Sequence, residues 1–97
     1  MTLRLQLRGR AERDLDEAYA WYERRSVGLG AAFLRAVDAC LARILRQPEA
    51  YTIQHGRVRR ARLQRFPYAV FYMIREDSID VLAVYHARRR PRRFDQP

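Results

Sequence analysis

Strict alternation of apolar and polar residues opens the chain. Between residues 2 and 8, three leucines alternate with arginine or glutamine, and this period of two predicts a β-strand with one buried face. After Gly9 the period changes, and apolar residues recur at helical spacing from about Arg10 to Arg25. Tyr19 and Trp21 flank this stripe, and we expect them to widen the core rather than to form an aromatic shoulder for a partner. The expected buried stripe of the helix is Ala11, Leu15, Ala18 and Tyr22, one face at helical period.

A second helical pattern runs from about Leu29 to Gln47. Pro48 ends it, because a proline cannot continue the hydrogen-bond ladder of a helix. The connection, residues 26–30, is so short that the second helix has to run antiparallel to the first. The expected buried face of this helix is Phe33, Val37, Cys40 or Leu41, and Ile44.

The second half of the chain returns to a period of two. Residues 48–56 predict a loop or a short edge strand, and residues 58–66, 68–75 and 79–87 predict three further strands. The last two runs are apolar on both sides, which is typical of central strands, and the polar turn 76–78 joins them as a hairpin. In the last strand, alternation predicts Ile79, Val81, Ala83 and Tyr85 on one face.

These elements together predict an α+β fold with a single domain over residues 1–97. We expect an antiparallel sheet of about four strands with an N-terminal strand, and a two-helix antiparallel hairpin packed on one face. Pro91 stops the last strand, and residues 92–97 are expected to form a flexible tail.

The charge is large and uneven. The formal net charge is +9, and every basic residue apart from the two histidines is an arginine, since the chain has no lysine. Residues 1–56 hold nine arginines against seven acidic residues, whereas residues 57–97 hold eleven against four. This asymmetry indicates that the C-terminal half meets an anionic partner, such as nucleic acid or an acidic protein segment. The alternative is a plain solvated basic surface.

Several classes of function are not favoured by the sequence. Cys40 is the single cysteine, which argues against a disulfide framework and a cysteine metal cluster, and fits a reducing compartment. No stretch approaches the roughly 20 apolar residues that span a bilayer. The chain has no metal-ligand spacing and no glycine-rich phosphate loop. We therefore expect a soluble, cytoplasmic protein with no metal, no cofactor and no membrane contact.

Four arginines crowd the strand predicted over residues 58–66. Alternation predicts that Ala61 and Leu63 face the helices, which leaves Arg60 and Arg62 on the open side of the sheet. Arg59 and Arg65 share the side of Ala61 and Leu63 in this alternation, and a bulge at Pro67 would move Arg65 away from that side. Such a stripe could hold a phosphate or an acidic strand of a partner protein, or it could be a solvated face.

The motifs RRARLQRFPYAVFY and VLAVYHARRRP, together with the upstream AYAWYERRSVGLGAAFLRAV, resemble the RelE/ParE superfamily of toxins from type II toxin–antitoxin systems. The resemblance extends from the first strand to Pro91 and is greatest for the ParE-like branch. It implies a small toxin that is held inactive by an acidic segment of a cognate antitoxin, with a toxin–antitoxin heterotetramer as a possible assembly. The candidate partner-binding residues are Arg59, Arg60, Arg62, Arg65, Arg88, Arg89 and Arg90.

The superfamily implies two different targets. ParE-like members poison DNA gyrase, whereas RelE-like members cut messenger RNA on the ribosome. RNA cleavage needs groups that accept and donate a proton, and cations that stabilise the phosphate. Arginine supplies only the cation, because its pKa is above about 12. The proton carriers in this chain are His86, His55, Tyr72, Tyr85 and scattered carboxylates.

Three hypotheses follow from the sequence and the resemblance. The first is a ParE-like, non-enzymatic toxin that inhibits DNA gyrase, favoured by the many arginines and the missing lysines. The second is a ribosome-dependent endoribonuclease with His86 as acid or base and Arg62, Arg65 and Arg88 around the phosphate. In the first hypothesis His86 is a structural residue at a strand end or a partner contact. The third is a plasmid-stabilisation or binding module without toxicity.

Overall fold

The structure, a computed structural model, describes residues 3–87. The expected flexible tail at 92–97 lies outside this range. The described elements are β1 (Arg4–Leu7), α1 (Gly9–Arg25), α2 (Leu29–Arg46), a short 3₁₀ helix (Pro48–Ala50), β2 (Thr52–His55), β3 (Val58–Arg62), β4 (Tyr68–Ile74) and β5 (Ser78–His86).

The described strands form one five-stranded sheet in the order β1-β5-β4-β3-β2. The α+β class and the helical hairpin are confirmed, but the sheet has five strands rather than about four and is mixed rather than wholly antiparallel. Residues 52–55 do form an edge strand, β2, and β1 pairs with β5 in parallel. Alternation reports which face of a strand is buried, but it carries no information about the direction of the partner strand.

Both helices pack on the same face of the sheet and bury the stripes that the sequence predicts. Ala11, Ala18 and Tyr22 from α1 join Phe33 and the other expected residues of α2 in one apolar core. Cys40 lies in this core as a buried thiol, and its Sγ donates to the carbonyl oxygen of Ala61 at 3.7 Å. Burial raises the pKa of the Cys40 thiol, so the thiol is structural rather than reactive.

A β-bulge in β5 changes the predicted faces of that strand. Phe71 pairs with Ala83 and Tyr72 pairs with Val81, so Leu82 is the extra residue. The alternation therefore shifts by one position after the bulge. Residues before it follow the prediction, but Val84 faces the helices, whereas Ala83, Tyr85 and the extra residue join a second apolar cluster on the opposite face.

The strand predicted over residues 58–66 ends at Arg62. A tight turn follows, in which the Leu63 N–H donates to the Tyr68 carbonyl at 2.9 Å and the Tyr68 N–H donates to the Phe66 carbonyl at 2.8 Å. Arg65 takes up a left-handed backbone with φ 77°, which an arginine rarely adopts. This turn, rather than a longer strand, carries Phe66 back into the core.

Candidate functional site

The arginines of β3 occupy different environments. Ala61 faces the helices and Leu63 packs in the same core, so the predicted assignment of faces is confirmed. Arg60 and Arg62 lie on the opposite face, with Arg60 half-buried beside Phe71 and Arg62 exposed. Whether these two arginines bind a partner stays a prediction.

Arg59 differs from its neighbours, because its guanidinium holds part of the fold together. The group donates to the Tyr51 carbonyl at 2.8 Å and to the Glu49 carbonyl at 3.2 Å. It thereby ties β3 to the segment that follows α2. Its capacity to meet a partner is reduced by these two bonds.

Two further arginines cluster at the end of β3. Arg65 is exposed in the turn, and Arg43 reaches over from α2 to donate to the Arg62 carbonyl at 3.3 Å. Arg62, Arg65 and Arg43 thus all lie around the end of β3, with the Arg62 side chain on the face opposite α2, and we call these three arginines the basic corner below. Arg88, Arg89 and Arg90 lie outside the described residues.

His86 ends β5 on the face that carries the helices. It pairs with Tyr68 across the hairpin, and the centroids of the two rings are 5.5 Å apart. It lines a cleft of about 470 Å³ between α1 and the ends of β4 and β5. The cleft is lined by Asp14, Glu17, Ala18, Trp21, Tyr22, Pro67, Tyr68, Val84, Tyr85 and His86.

The charged residues that line this cleft are acidic, and arginines outside the lining act on them, since Arg10 and Arg13 both lower the pKa of Asp14. Two carboxylates, those of Asp14 and Glu17, line it, and none of its described lining residues is an arginine. The Asp14 carboxylate accepts the Val84 N–H at 2.9 Å, which satisfies a backbone donor of β5 beyond the last residue that pairs with β1. Burial raises the pKa of Asp14, while the Val84 hydrogen bond and the Arg10 charge oppose that rise.

The sheet separates His86 from Arg62. Arg62 pairs with Ala69 and Ala69 pairs with Tyr85, so these three side chains share the face opposite the helices. His86 is the next residue along β5 and points to the helix side. The structure therefore does not bring together these two members of the proposed nuclease set, and Arg88, the fourth, is not described.

Sequence reasoning missed the cleft itself. Trp21 was expected in the core, but it is 44 % exposed at the rim of the cleft, so that expectation is wrong. Asp14 and Glu17 are two of four acidic residues in the first half of α1. Their spacing of three residues, with Ala18 and Trp21 following at helical intervals, was the available signal that all four share one face of α1.

No helix within residues 3–87 is both long and apolar enough to cross a membrane. In the same range, no three His, Cys, Asp or Glu side chains are grouped so that they could hold a metal ion.

Comparison with known proteins identifies the family. Residues 5–91 match the family described as "ParE toxin of type II toxin-antitoxin system, parDE". The chain is 33 % identical over 92 residues to the protein named Toxin ParE2 in two strains of Mycobacterium tuberculosis, which covers 94 % of this chain and 88 % of the relative.

Solved structures share the fold. A chain of the "Chromosomal ParDE TA system from P. aeruginosa" superposes with a TM-score of 0.78 at 16 % identity, covering 88 % of this chain and 96 % of that one. The free state of a double mutant of the E. coli toxin RelE superposes with a TM-score of 0.68 at 18 % identity, covering 91 % and 86 %. With a match to the family over most of its length and a relative at 33 % identity, the chain belongs to the ParE toxin family of type II toxin–antitoxin systems.

Proposed function

We propose that this ParE family member is a non-enzymatic toxin of the cytoplasm that binds DNA gyrase, traps its work on DNA and is neutralised by a cognate antitoxin. The observation that carries the proposal is the separation of His86 from Arg62 by the sheet. Family membership supports the antitoxin as a partner, and the resemblance to ParE-like rather than RelE-like toxins favours gyrase over the ribosome as the target.

The separation disfavours RNA cleavage on chemical grounds. A nuclease of this kind needs its acid or base and its cations around a single phosphate. His86 lines the same cleft as Asp14 and Glu17, and two carboxylates repel a phosphate group. The exposed guanidinium groups of the basic corner can bind an anion, but they cannot move a proton. The described residues are therefore better suited to binding than to cutting.

The basic corner suits the acidic segment of an antitoxin. Arg62 and Arg65 are exposed, and a guanidinium pairs with a carboxylate through two parallel hydrogen bonds. Arg60 extends this surface along β3. We assign these three arginines to partner binding, and we assign Arg59 mainly to the fold because two backbone carbonyls already accept from it.

The test measures two activities of one purified protein. We expect it to block supercoiling of relaxed plasmid by gyrase while messenger RNA stays intact in a translating extract. Cleaved transcripts with unaffected supercoiling would instead establish the nuclease. If the protein shows neither activity and is toxic in no host, the remaining hypothesis is a binding module without toxicity.

A charge-matched pair of variants tests the binding surface. Arg62→Gln and Arg35→Gln each remove one exposed arginine, but Arg35 lies on α2 outside the basic corner. We expect Arg62→Gln to weaken binding of the cognate antitoxin about tenfold, the effect of one charge-assisted contact, and Arg35→Gln to change it less than twofold. An equal loss of antitoxin affinity in the two variants would show that binding depends only on the net charge of the protein.

A further inference from the structure

The cleft beside His86 combines an aromatic wall with an acidic wall. Four rings follow one another along it: the centroid distances are 5.0 Å from Trp21 to Tyr22, 6.0 Å from Tyr22 to Tyr68 and 5.5 Å from Tyr68 to His86. Asp14 and the other lining carboxylate stand on α1 near this row. A protein with a net charge of +9 thus keeps two negative groups next to a row of aromatic residues.

The floor of the cleft leaves room for a side chain. Ala18 is 4 % exposed and lies between the carboxylates and the aromatic residues of α1. Pro67 and Val84 complete an apolar lining. A long side chain with an apolar stem and a cationic end would place its stem on these residues and its charge against the carboxylates.

The chain's own arginines show which group these aromatic surfaces accept. The guanidinium of Arg25 lies 4.3 Å from the centroid of the Trp21 ring, and that of Arg10 lies 5.1 Å from the centroid of the Tyr85 ring and bonds its hydroxyl. Both residues line the cleft, although the Tyr85 side chain also packs in the apolar cluster on the opposite face of the sheet. Stacking of a planar guanidinium on an aromatic face is favourable, and arginine does this better than lysine.

We propose that this cleft binds an arginine side chain presented by a partner polypeptide, with Asp14 and Glu17 as the counter-charges and the aromatic row as the stacking surface. The site is separate from the basic corner, which takes acidic groups. It does not depend on gyrase being the target. A bound guanidinium would also offset the cost of burying the Asp14 carboxylate, whose pKa is raised by that burial.

The test uses Trp21, the single tryptophan of the chain, as the reporter. The probes are the acetylated tripeptide amides Leu-Arg-Leu, Leu-Lys-Leu and Leu-Gln-Leu, titrated into the full-length protein and followed by tryptophan fluorescence and calorimetry. We expect saturable binding of the arginine peptide, at least threefold weaker binding of the lysine peptide, and no binding of the glutamine peptide. Equal binding of the lysine peptide or of spermidine would overturn the proposal, because the cleft would then bind cations without selectivity for arginine.

Matched variants of α1 separate the site from the overall charge. Glu17→Gln is expected to weaken binding of the arginine peptide about tenfold, the effect of losing one charged hydrogen bond. The double variant Asp14→Asn with Glu17→Gln is expected to abolish binding. Asp16→Asn changes the net charge by the same amount at an exposed position outside the cleft, and it should change affinity less than twofold. Equal weakening by Asp16→Asn would contradict the site.

One further variant tests whether the chain itself supplies the arginine. Replacing Arg88, Arg89 and Arg90 by glutamine should leave peptide affinity within threefold of the wild type. A rise of more than tenfold would mean that these arginines compete for the cleft, and the partner would then be the chain's own C-terminus. A wild-type protein that binds the arginine peptide but does not inhibit gyrase would refute the proposed function and leave this site intact.

Discussion

Replacing Gly30 by alanine tests how closely the two helices pack. A Cβ at this position would lie 2.8 Å from two ring carbons of Tyr19 and also 2.8 Å from its backbone oxygen. The ring can rotate away, but the oxygen belongs to α1, so the helices have to separate. Because ordinary contact begins at 3.4 Å, the missing space is the difference from 2.8 Å, about 0.6 Å.

The expected loss of stability follows from two opposing effects. Overpacking a well-packed contact costs about 1–3 kcal/mol, whereas alanine gains roughly 0.5–1 kcal/mol over glycine because it restricts the unfolded chain and favours the helix. We expect a net loss of about 1–2 kcal/mol, which lowers the melting temperature of a domain of this size by roughly 5–15 °C. Urea denaturation at pH 7 measures the free energy of unfolding directly.

Gly9→Ala is the matched control, since Gly9 begins α1 and an added Cβ would meet only the end of the Arg13 side chain at 3.6 Å. We expect it to be neutral or slightly stabilising. Combining Gly30→Ala with Tyr19→Ala should recover only part of the loss, because the backbone contact remains. A Gly30→Ala protein as stable as the wild type would refute the argument that the helices are in closest contact here.

Three other substitutions test single contacts by chemical denaturation. Asp14→Ala should cost about 1–3 kcal/mol of stability because it leaves the Val84 N–H without its acceptor, whereas Asp14→Asn keeps an acceptor. Because the pKa of Asp14 is raised in the folded state, the wild type should lose stability relative to Asp14→Asn as the pH rises from 3.8 through that raised pKa. Tyr72→Phe removes a 2.6 Å hydrogen bond to the Pro48 carbonyl and should cost about 1 kcal/mol at pH 7. Burial raises the pKa of Tyr72 from 10.0 to about 12, so only the wild type should lose stability, by roughly 2–3 kcal/mol, between pH 10 and 12. A difference in unfolding free energy between the wild type and Tyr72→Phe that stays constant over that range would contradict this expectation. Glu23→Ala should cost about 1–2 kcal/mol, because the Glu23 carboxylate accepts two backbone N–H groups at the start of α2, both at 2.9 Å, and an unchanged stability would show that water replaces it.

The sequence predicts the helices well because their buried faces depend on local spacing. The stripe of α1 and the buried face of α2 appear as predicted, since the period of a helix does not depend on what covers it. The parallel pairing of β1 with β5 joins residues more than 70 positions apart, Arg4 with Ser78 and Leu7 with Val81. Nothing in the local pattern of either strand specifies such a partner.

The candidate site is harder to predict because several elements build it. The bulge at Leu82 reverses the expected faces of β5, and with them the position of Val84 and Tyr85 relative to α1. Alternation alone cannot detect an extra residue that is itself apolar. The pairing of His86 with Tyr68, and thus its place in the same cleft as Asp14, depends on where the hairpin and the first helix meet.

The most direct test of the central claim is inhibition of gyrase supercoiling by the His86→Ala protein beside the wild type. A toxin that binds without cutting does not need the imidazole as an acid or base. We therefore predict that both proteins fold and inhibit supercoiling at the same concentration, and that neither cleaves messenger RNA in a translating extract. A folded His86→Ala protein that has lost toxicity, together with wild-type protein that cuts transcripts and leaves supercoiling untouched, would contradict the account.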